Sequence, residues 1–600
     1  MPSTRMPRAR AAAIAAAAAL AAACSPDRGT GPGANLQALC GTSTGLTVSL
    51  APGGVATVTD PAQMACMAVP RSGSAAEYVF IAGNASTLRD AVWRYTVEST
   101  GGTPATASVA SADLASASPD LVAAGGAPSS LRVPLPRRSA WGIADRLEQR
   151  RQALARRLSL SAARALHARR SAPSGVRLSV AAVVPPSVGD LVSYRVPDTV
   201  ASCDSFFTIG ARVRAVSEHA VIAEDTTAPA GGFSDADFTA IASEFDRLIY
   251  PTDTTHFGSP GDLDANGRVV ILYTPRVNAE TPRGSKDGYV AGFFFGGDLF
   301  PRSGAPDQSC EQSNVAELFY LLTPDPGGVF SDVRATGDVR EATRGTIAHE
   351  FQHMINLSTR IRENASSAEV TWLDEALAHF AEEVVGRAAR GYSDMRKLTI
   401  ADILDVSNGY KDFDAFFAQN AARYQLWRER PDSLGATSGR ADVSLEVRGA
   451  AWSLVRYAAD QYSGGDVAAF TRKLVAGPEI GTLNLERRSG ASFAQIVGGW
   501  MPAHYTSGLS IPNLPPQAAF QSWNMRNVEN AFTRDGSFSP LAVTDLATGA
   551  PVAGKAPAAG GSYYRLSLPA SSAPVAVRVR ASGGAPVSEA GASVFIVRTR

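Results

Sequence analysis

The sequence predicts an α+β protein whose central region runs from strands into helices, with a small all-β domain at each end. Three observations predict it. Between residues 185 and 322, β-branched and aromatic runs alternate with turn residues and one amphipathic helix. From about residue 339 to 500, apolar residues recur at helical spacing instead. Residues 24–110 and 515–600 carry only short strand-like runs divided by turn residues.

Six hundred residues exceed what one core can organise, and 45% hydrophobic with 19% charged residues is a globular composition. Lys+Arg 56 balances Asp+Glu 56, so no net field draws nucleic acid or anionic membrane. Residues 1–23 read as a signal peptide: Arg5, Arg8 and Arg10 precede an apolar run too short to span a membrane. The run ends Leu20-Ala21-Ala22-Ala23-Cys24-Ser25, which resembles a bacterial lipoprotein signal with Cys24 as the lipidated residue. That implies a membrane anchor at Cys24; plain cleavage after the small residues is the alternative. Either route exports the protein. In an oxidising compartment, the remaining Cys40, Cys66, Cys203 and Cys310 are expected to pair locally, Cys40 with Cys66 and Cys203 with Cys310.

In chain order, residues 24–110 read as a sandwich-like β-domain with strands near 46–50, 55–58, 76–82 and 93–97. Residues 111–184 are linker plus an arginine-rich helix over 145–170, either a solvated spacer or a segment docked on its neighbour in an inhibitory or chaperoning role. The central region, 185–514, divides into a β/α lobe (185–368) and a helical lobe (369–514). In the first, strands are expected near 190–196, 208–216, 220–225, 269–273, 288–298 and 317–322, and a helix over 237–249 opened by Ser234 and Asp235. In the second, helices are expected over 399–406, 413–425, 449–462 and 492–500. Residues 515–600 form the last β-domain.

Within 262–267, Asp262, Asp264, Asn266 and Gly267 stand where a calcium loop places oxygen donors and its turn glycine. Tyr273 falls where an EF-hand needs its closing glutamate, so a plain Asp/Asn/Gly turn into the strand competes with calcium binding.

The chemistry lies in His349-Glu350-Phe351-Gln352-His353. Two histidines four apart on a helix point both imidazoles at one ion, and the intervening Glu350 can take a proton from a metal-bound water without binding the metal. With 7 His in 600 residues, composition alone rarely produces this spacing. A third ligand is needed to hold zinc while leaving a place for water. Glu375, 22 positions after His353, is the best candidate; Asp374, His379 and Glu382 are its rivals.

With the second motif, Trp372-Leu373-Asp374-Glu375-Ala376-Leu377-Ala378-His379, the chain resembles the gluzincin clan of zinc metallopeptidases, most closely the hyicolysin family. The resemblance covers roughly 185–510 and implies a zincin-like core. It implies His349, His353 and Glu375 as ligands of one Zn2+, Glu350 as general base, and residues 291–295 as an edge strand that pairs with extended substrate. Thermolysin-like relatives carry an aspartate four residues after the ligand glutamate, bracing a ligand histidine; His379 stands there, a candidate for that supporting role. The clan's oxyanion-stabilising Tyr or His is not assigned, with Tyr392, Tyr457 and Tyr462 all eligible.

The function expected is an exported zinc endopeptidase acting on protein or peptide substrates, with no nucleic-acid partner. The alternative is a cell-surface binding lipoprotein that keeps a peptidase-like scaffold.

Overall fold

The computed structural model describes residues 35–41, 43–101, 153–154, 156–170, 185–198, 203–285, 288–363, 365–404, 406–439, 445–529, 533–534, 537–538, 540–547, 549 and 551–600. The signal peptide with Cys24, and the linker stretch 111–152, lie outside the described residues.

Five strands come from the first part of the chain: β1 (Leu46–Thr47), β2 (Val55–Val58), β3 (Met67–Val69), β4 (Ala76–Asn84) and β5 (Val92–Ser99). The β/α lobe supplies β6 (Leu191–Pro197), β7 (Phe206–Val216), β8 (Ala220–Asp225), β9 (Val269–Tyr273), β10 (Gly292–Phe294) and β11 (Leu318–Leu321). The last part holds a small ribbon, β12 (Thr533–Arg534) with β13 (Ser537–Phe538), then β14 (Val543–Asp545), β15 (Val552–Pro557), β16 (Gly561–Leu568), β17 (Val575–Ala581) and β18 (Ala592–Arg598).

The central sheet has the order β10-β11-β9-β8-β7-β6. Its middle strands β9 and β11 are buried along their whole length, as their unbroken apolar sequences require. β11, β9 and β8 run parallel, while β10 pairs antiparallel with β11 and forms one edge. Only Gly292–Phe294 of the strand expected over 288–298 is extended; Gly296–Leu299 coils into a 3-10 turn.

The helix after β8 starts with a Ser234/Asp237 capping box. It overruns its expected end, passing through a π-helical turn at Phe245–Ile249 into Tyr250–Phe257. Pro251 lacks the N–H that an unbroken α ladder would use there, and the wider turn accommodates that. The helix expected over 413–425 is two, Lys411–Phe416 and Ala418–Arg428, divided at Phe417 with φ −120°.

Residues 24–110 and 515–600 do not form two separate β-domains. Their strands interleave into one sandwich with sheet orders β1-β3-β17-β5-β15 and β14-β16-β4-β18-β2. β4 lies between β16 and β18, and β5 between β17 and β15. Trp93, Tyr95, Phe80 and Tyr564 fill its interior. Val79, Ile81, Tyr563 and Phe595 face outward and join the core of the helical lobe. Each strand run alone buries only half its apolar surface, and the partner lies at the other end of the chain.

The described part of the arginine-rich segment docks on its neighbour through one face, while Arg156, Arg157 and Arg169 stay exposed. Its Leu160–Arg170 helix buries Leu160 and Ala163, and Arg164 donates to the carbonyls of Ile361 (2.9 Å) and Ala365 (2.8 Å). The two cysteine pairs form as expected, Cys40 with Cys66 and Cys203 with Cys310.

Candidate metal centre

The Thr336–Arg362 helix carries His349 and His353 one turn apart on one face. Phe351 points the other way, stacked on Tyr250 and edge-on to Phe245, which fixes the rotation of the helix. Gly345 lets the Lys411–Phe416 helix come close: a Cβ there would stand 1.9 Å from the Ala415 carbonyl oxygen. Beside it runs the Thr371–Ala389 helix, seated by the buried Trp372 and Leu373. Glu375, His379 and Glu382 follow at helical spacing on its facing side.

Between these helices the donor atoms converge. His349 Nε2 and His353 Nε2 are 3.1 Å apart. Glu375 places Oε2 at 3.6 Å from His349 Nε2 and Oε1 at 4.0 Å from His353 Nε2. Ligand atoms each about 2.0–2.2 Å from one tetrahedral zinc stand roughly 3.3–3.6 Å from each other; the two His349 contacts lie close to that spacing, and the His353–Glu375 separation, made through the other carboxylate oxygen, is wider at 4.0 Å. His349, Glu375 and His379 also offer atoms within 4.8 Å of one another. Two donor sets therefore share His349 and Glu375 and differ in the third residue.

The outer nitrogens separate them. His353 Nδ1 lies 3.2 Å from Asp374 Oδ2, and Asp374 also accepts from Asn356 Nδ2. That leaves His353 Nε2 turned toward His349 and Glu375. His379 Nδ1 lies 2.8 Å from Glu382 Oε1, while its Nε2 is in close contact with Arg423 Nη1. The same Nη1 is 3.0 Å from His379 Nδ1, so the Arg423 cation crowds both ring nitrogens of His379, whereas among the described residues His353 Nε2 has no cation against it in this way. Glu382 Oε1 is also 2.7 Å from His349 Nδ1, so one carboxylate oxygen orients two imidazoles.

Charge follows the same division. Burial holds His349 well below the ordinary histidine range, with His353 adding to the effect. Burial opposes the charged form of His353 too, but Asp374 and then Glu375 outweigh it and lift the ring to about 10. His379 is driven down by burial and then by the Arg423 charge, and burial pushes Glu382 up to about 8.

Glu350 lies on the adjoining side of the helix, where its Oε2 accepts the Phe294 N–H at 2.8 Å. The edge strand β10 thus holds the carboxylate of the motif beside the histidine pair.

The chain has a distant relative among known proteins. Over 147 residues the chain is 33% identical to the neutral metalloprotease ShpI of Staphylococcus hyicus. The match takes in 24% of this chain, and the chain spans about 30% of the relative's length. No protein-family model matches. At that coarse level the likeness supports a metallopeptidase relationship and a metal cofactor.

Other sequence candidates fall elsewhere. Asp262 and Asp264 do converge, but with Glu317 instead of Asn266. Asn266 turns inward, donating to Asp264 Oδ2 (2.6 Å) and accepting from Arg268 N (2.6 Å), which closes the turn. The buried Glu317 accepts the Leu263 N–H on both oxygens, and burial lifts its carboxyl to about 8. Tyr457 donates its hydroxyl to Gln517 O at 2.6 Å and Tyr392 to Asp402 O at 3.3 Å, while Tyr462 packs against the helical core.

Two residues at the centre escaped the sequence reading. Arg423 reaches His379 from the Ala418–Arg428 helix, and Arg448 Nη1 reaches Glu375 Oε2 at 3.0 Å from the Leu445–Tyr462 helix. The available signal was Arg448-Gly449, a cation beside a glycine near the head of the Leu445–Tyr462 helix. A Cβ at Gly449 would stand 2.3 Å from the backbone of Arg423 and Tyr424, so that glycine marks the crossing that brings both arginines inward.

Proposed function

We propose that the chain is an exported zinc endopeptidase of gluzincin type, with His349, His353 and Glu375 as ligands. The observation that carries it is the convergence of those three donors beside a glutamate fixed by an edge strand. Zinc held there would supply a Lewis acid for the peptide carbonyl and an acidified water. Glu350 takes the proton from the attacking water and later delivers it to the departing amine nitrogen. Asp374 and Glu382 hold the His353 and His349 rings so that both Nε2 atoms face inward. His379, engaged by Arg423, supports Glu382. The outer edge of β10 pairs with an extended substrate and brings the scissile carbonyl alongside Glu350.

Export and lipidation at Cys24 rest on the sequence of residues 1–25. Among the described residues, no helix is long and apolar enough to cross a membrane. The test is zinc stoichiometry together with casein cleavage in the wild type and in Glu350→Gln. One zinc per chain and chelator-sensitive cleavage that Glu350→Gln abolishes are expected. Cleavage that survives Glu350→Gln at the wild-type rate sinks the proposal.

A further inference from the structure

We infer that Arg448 is the group that receives the developing negative charge on the substrate carbonyl oxygen, an inference that rests on the peptidase reading above. When the water oxygen bonds to the carbonyl carbon, its proton passes to Glu350 and the carbonyl π pair moves onto oxygen. That oxygen needs a fixed hydrogen-bond donor close to the metal position. The tyrosines eligible from the sequence are placed elsewhere: the hydroxyls of Tyr392 and Tyr457 bond to Asp402 and Gln517 carbonyls, and Tyr462 packs against the helical core.

Two cations enter the centre, and their surroundings differ. Arg423 is buried, with Nη1 directed at both ring nitrogens of His379. Arg448 touches the centre at Glu375 Oε2, 3.0 Å away, and its side chain keeps 11% of its surface exposed against 2% for Glu375. Its guanidinium is therefore the more exposed of the two cations at the centre. Glu375 Oε2 is itself 3.6 Å from His349 Nε2, so Arg448 stands one carboxylate away from the ion's position. A planar guanidinium carries its five N–H donors in a fixed fork, a geometry suited to an oxyanion beside a carboxylate. The packing fixes it there, because Gly449 brings this helix into backbone contact with the Ala418–Arg428 helix.

The rival role is purely positional, with Arg448 doing no more than steadying Glu375 as a ligand. The two roles separate when zinc affinity is measured apart from turnover. In Arg448→Ala, kcat is expected to fall about 10²–10³-fold with KM changed less than about threefold. Inhibition by a phosphinic peptide, whose tetrahedral anion copies the charged oxygen, should weaken by the same factor as kcat/KM. Zinc binding to the apoprotein, followed by a competing chromophoric chelator, should stay within about threefold of wild type. Unchanged kcat overturns the inference, and so does a loss of zinc affinity that parallels the loss of rate. Should Arg448→Ala fail to fold, Arg448→Lys carries the test: it must lose kcat and phosphinic affinity together at constant zinc affinity, and any other pattern overturns the inference. A wild-type protein that neither binds zinc nor cleaves casein sinks the peptidase reading instead.

Discussion

The metal centre and the terminal sandwich are assembled on opposite principles. All four residues of the proposed ligand and base set lie within 349–375, on two helices joined by a short connection. The sandwich is split across the whole chain: β4, near residue 80, is flanked by β16 and β18, near 565 and 595. Helical spacing fixes which side chains share a face within four residues, so a centre on helices survives as a local pattern. Strand pairing has no such local record, because an edge can take a partner from any distance. One region can therefore be disabled without disturbing the fold, and the other can be loosened without touching the chemistry.

The largest effect is expected from Glu350→Gln, which keeps size and the Phe294 contact but removes the base. Casein cleavage should fall on the order of 10²–10⁴-fold with zinc content and melting temperature unchanged. A melting shift as large as that of a core mutant would break the contrast between the two regions.

Phe595→Ala tests the other side. This ring lies against Gly83 in the sandwich and Gly498 in the helical lobe. Its removal should cost about 3–5 kcal/mol in urea unfolding. Cleavage per folded molecule should hold near wild type; a fall would show that the sandwich props the cleft.

Glu382→Gln sharpens the comparison inside the centre. Losing the carboxylate that orients His349 and His379 should weaken zinc binding about 10–100-fold, read by chelator competition, while far-UV circular dichroism stays constant. Unaltered affinity would leave Glu382 a packing residue.

The smallest effect belongs to Glu317, buried at the turn before β9. Burial raises its folded-state pKa to about 8, above the ordinary glutamate value of 4.5. The neutral acid is thus favoured by folding, and its stabilising contribution is complete below about pH 4.5 and lost as pH rises through about 8. Melting temperatures taken in chelator should fall across that window in wild type and fall less in Glu317→Gln. Parallel curves would refute the assignment.

Spacing made much of the centre legible. His349, Glu350 and His353 follow from one helical turn, and Glu375 from a second helix whose Trp372-Leu373 pair announces its buried side. Asp374 and Glu382 were visible only as rivals for the metal. Their positions beside His353 Nδ1 and His349 Nδ1 depend on how the two helices rotate against each other. Arg423 and Arg448 come from two further helices, and no sequence periodicity relates 423 or 448 to 375. Within the sheet, the buried strand at 269–273 was legible because five consecutive apolar residues suit a strand covered on both faces. The edge at 292–294 was overestimated, since its aromatic run continues into a 3-10 turn.

By itself, then, the sequence determined what is periodic or close along the chain: the His349–His353 spacing, the capping box at Ser234 and the alternation of strand and helix. The tertiary structure decided what depends on distant partners: the single sandwich made from both ends of the chain, Glu317 joining Asp262 and Asp264, and the arginines at the proposed ligand Glu375 and at His379. The physical reason is range. Backbone geometry carries information over a turn or two, whereas packing and charge pairing are settled only when elements remote in the chain compete for the same buried space.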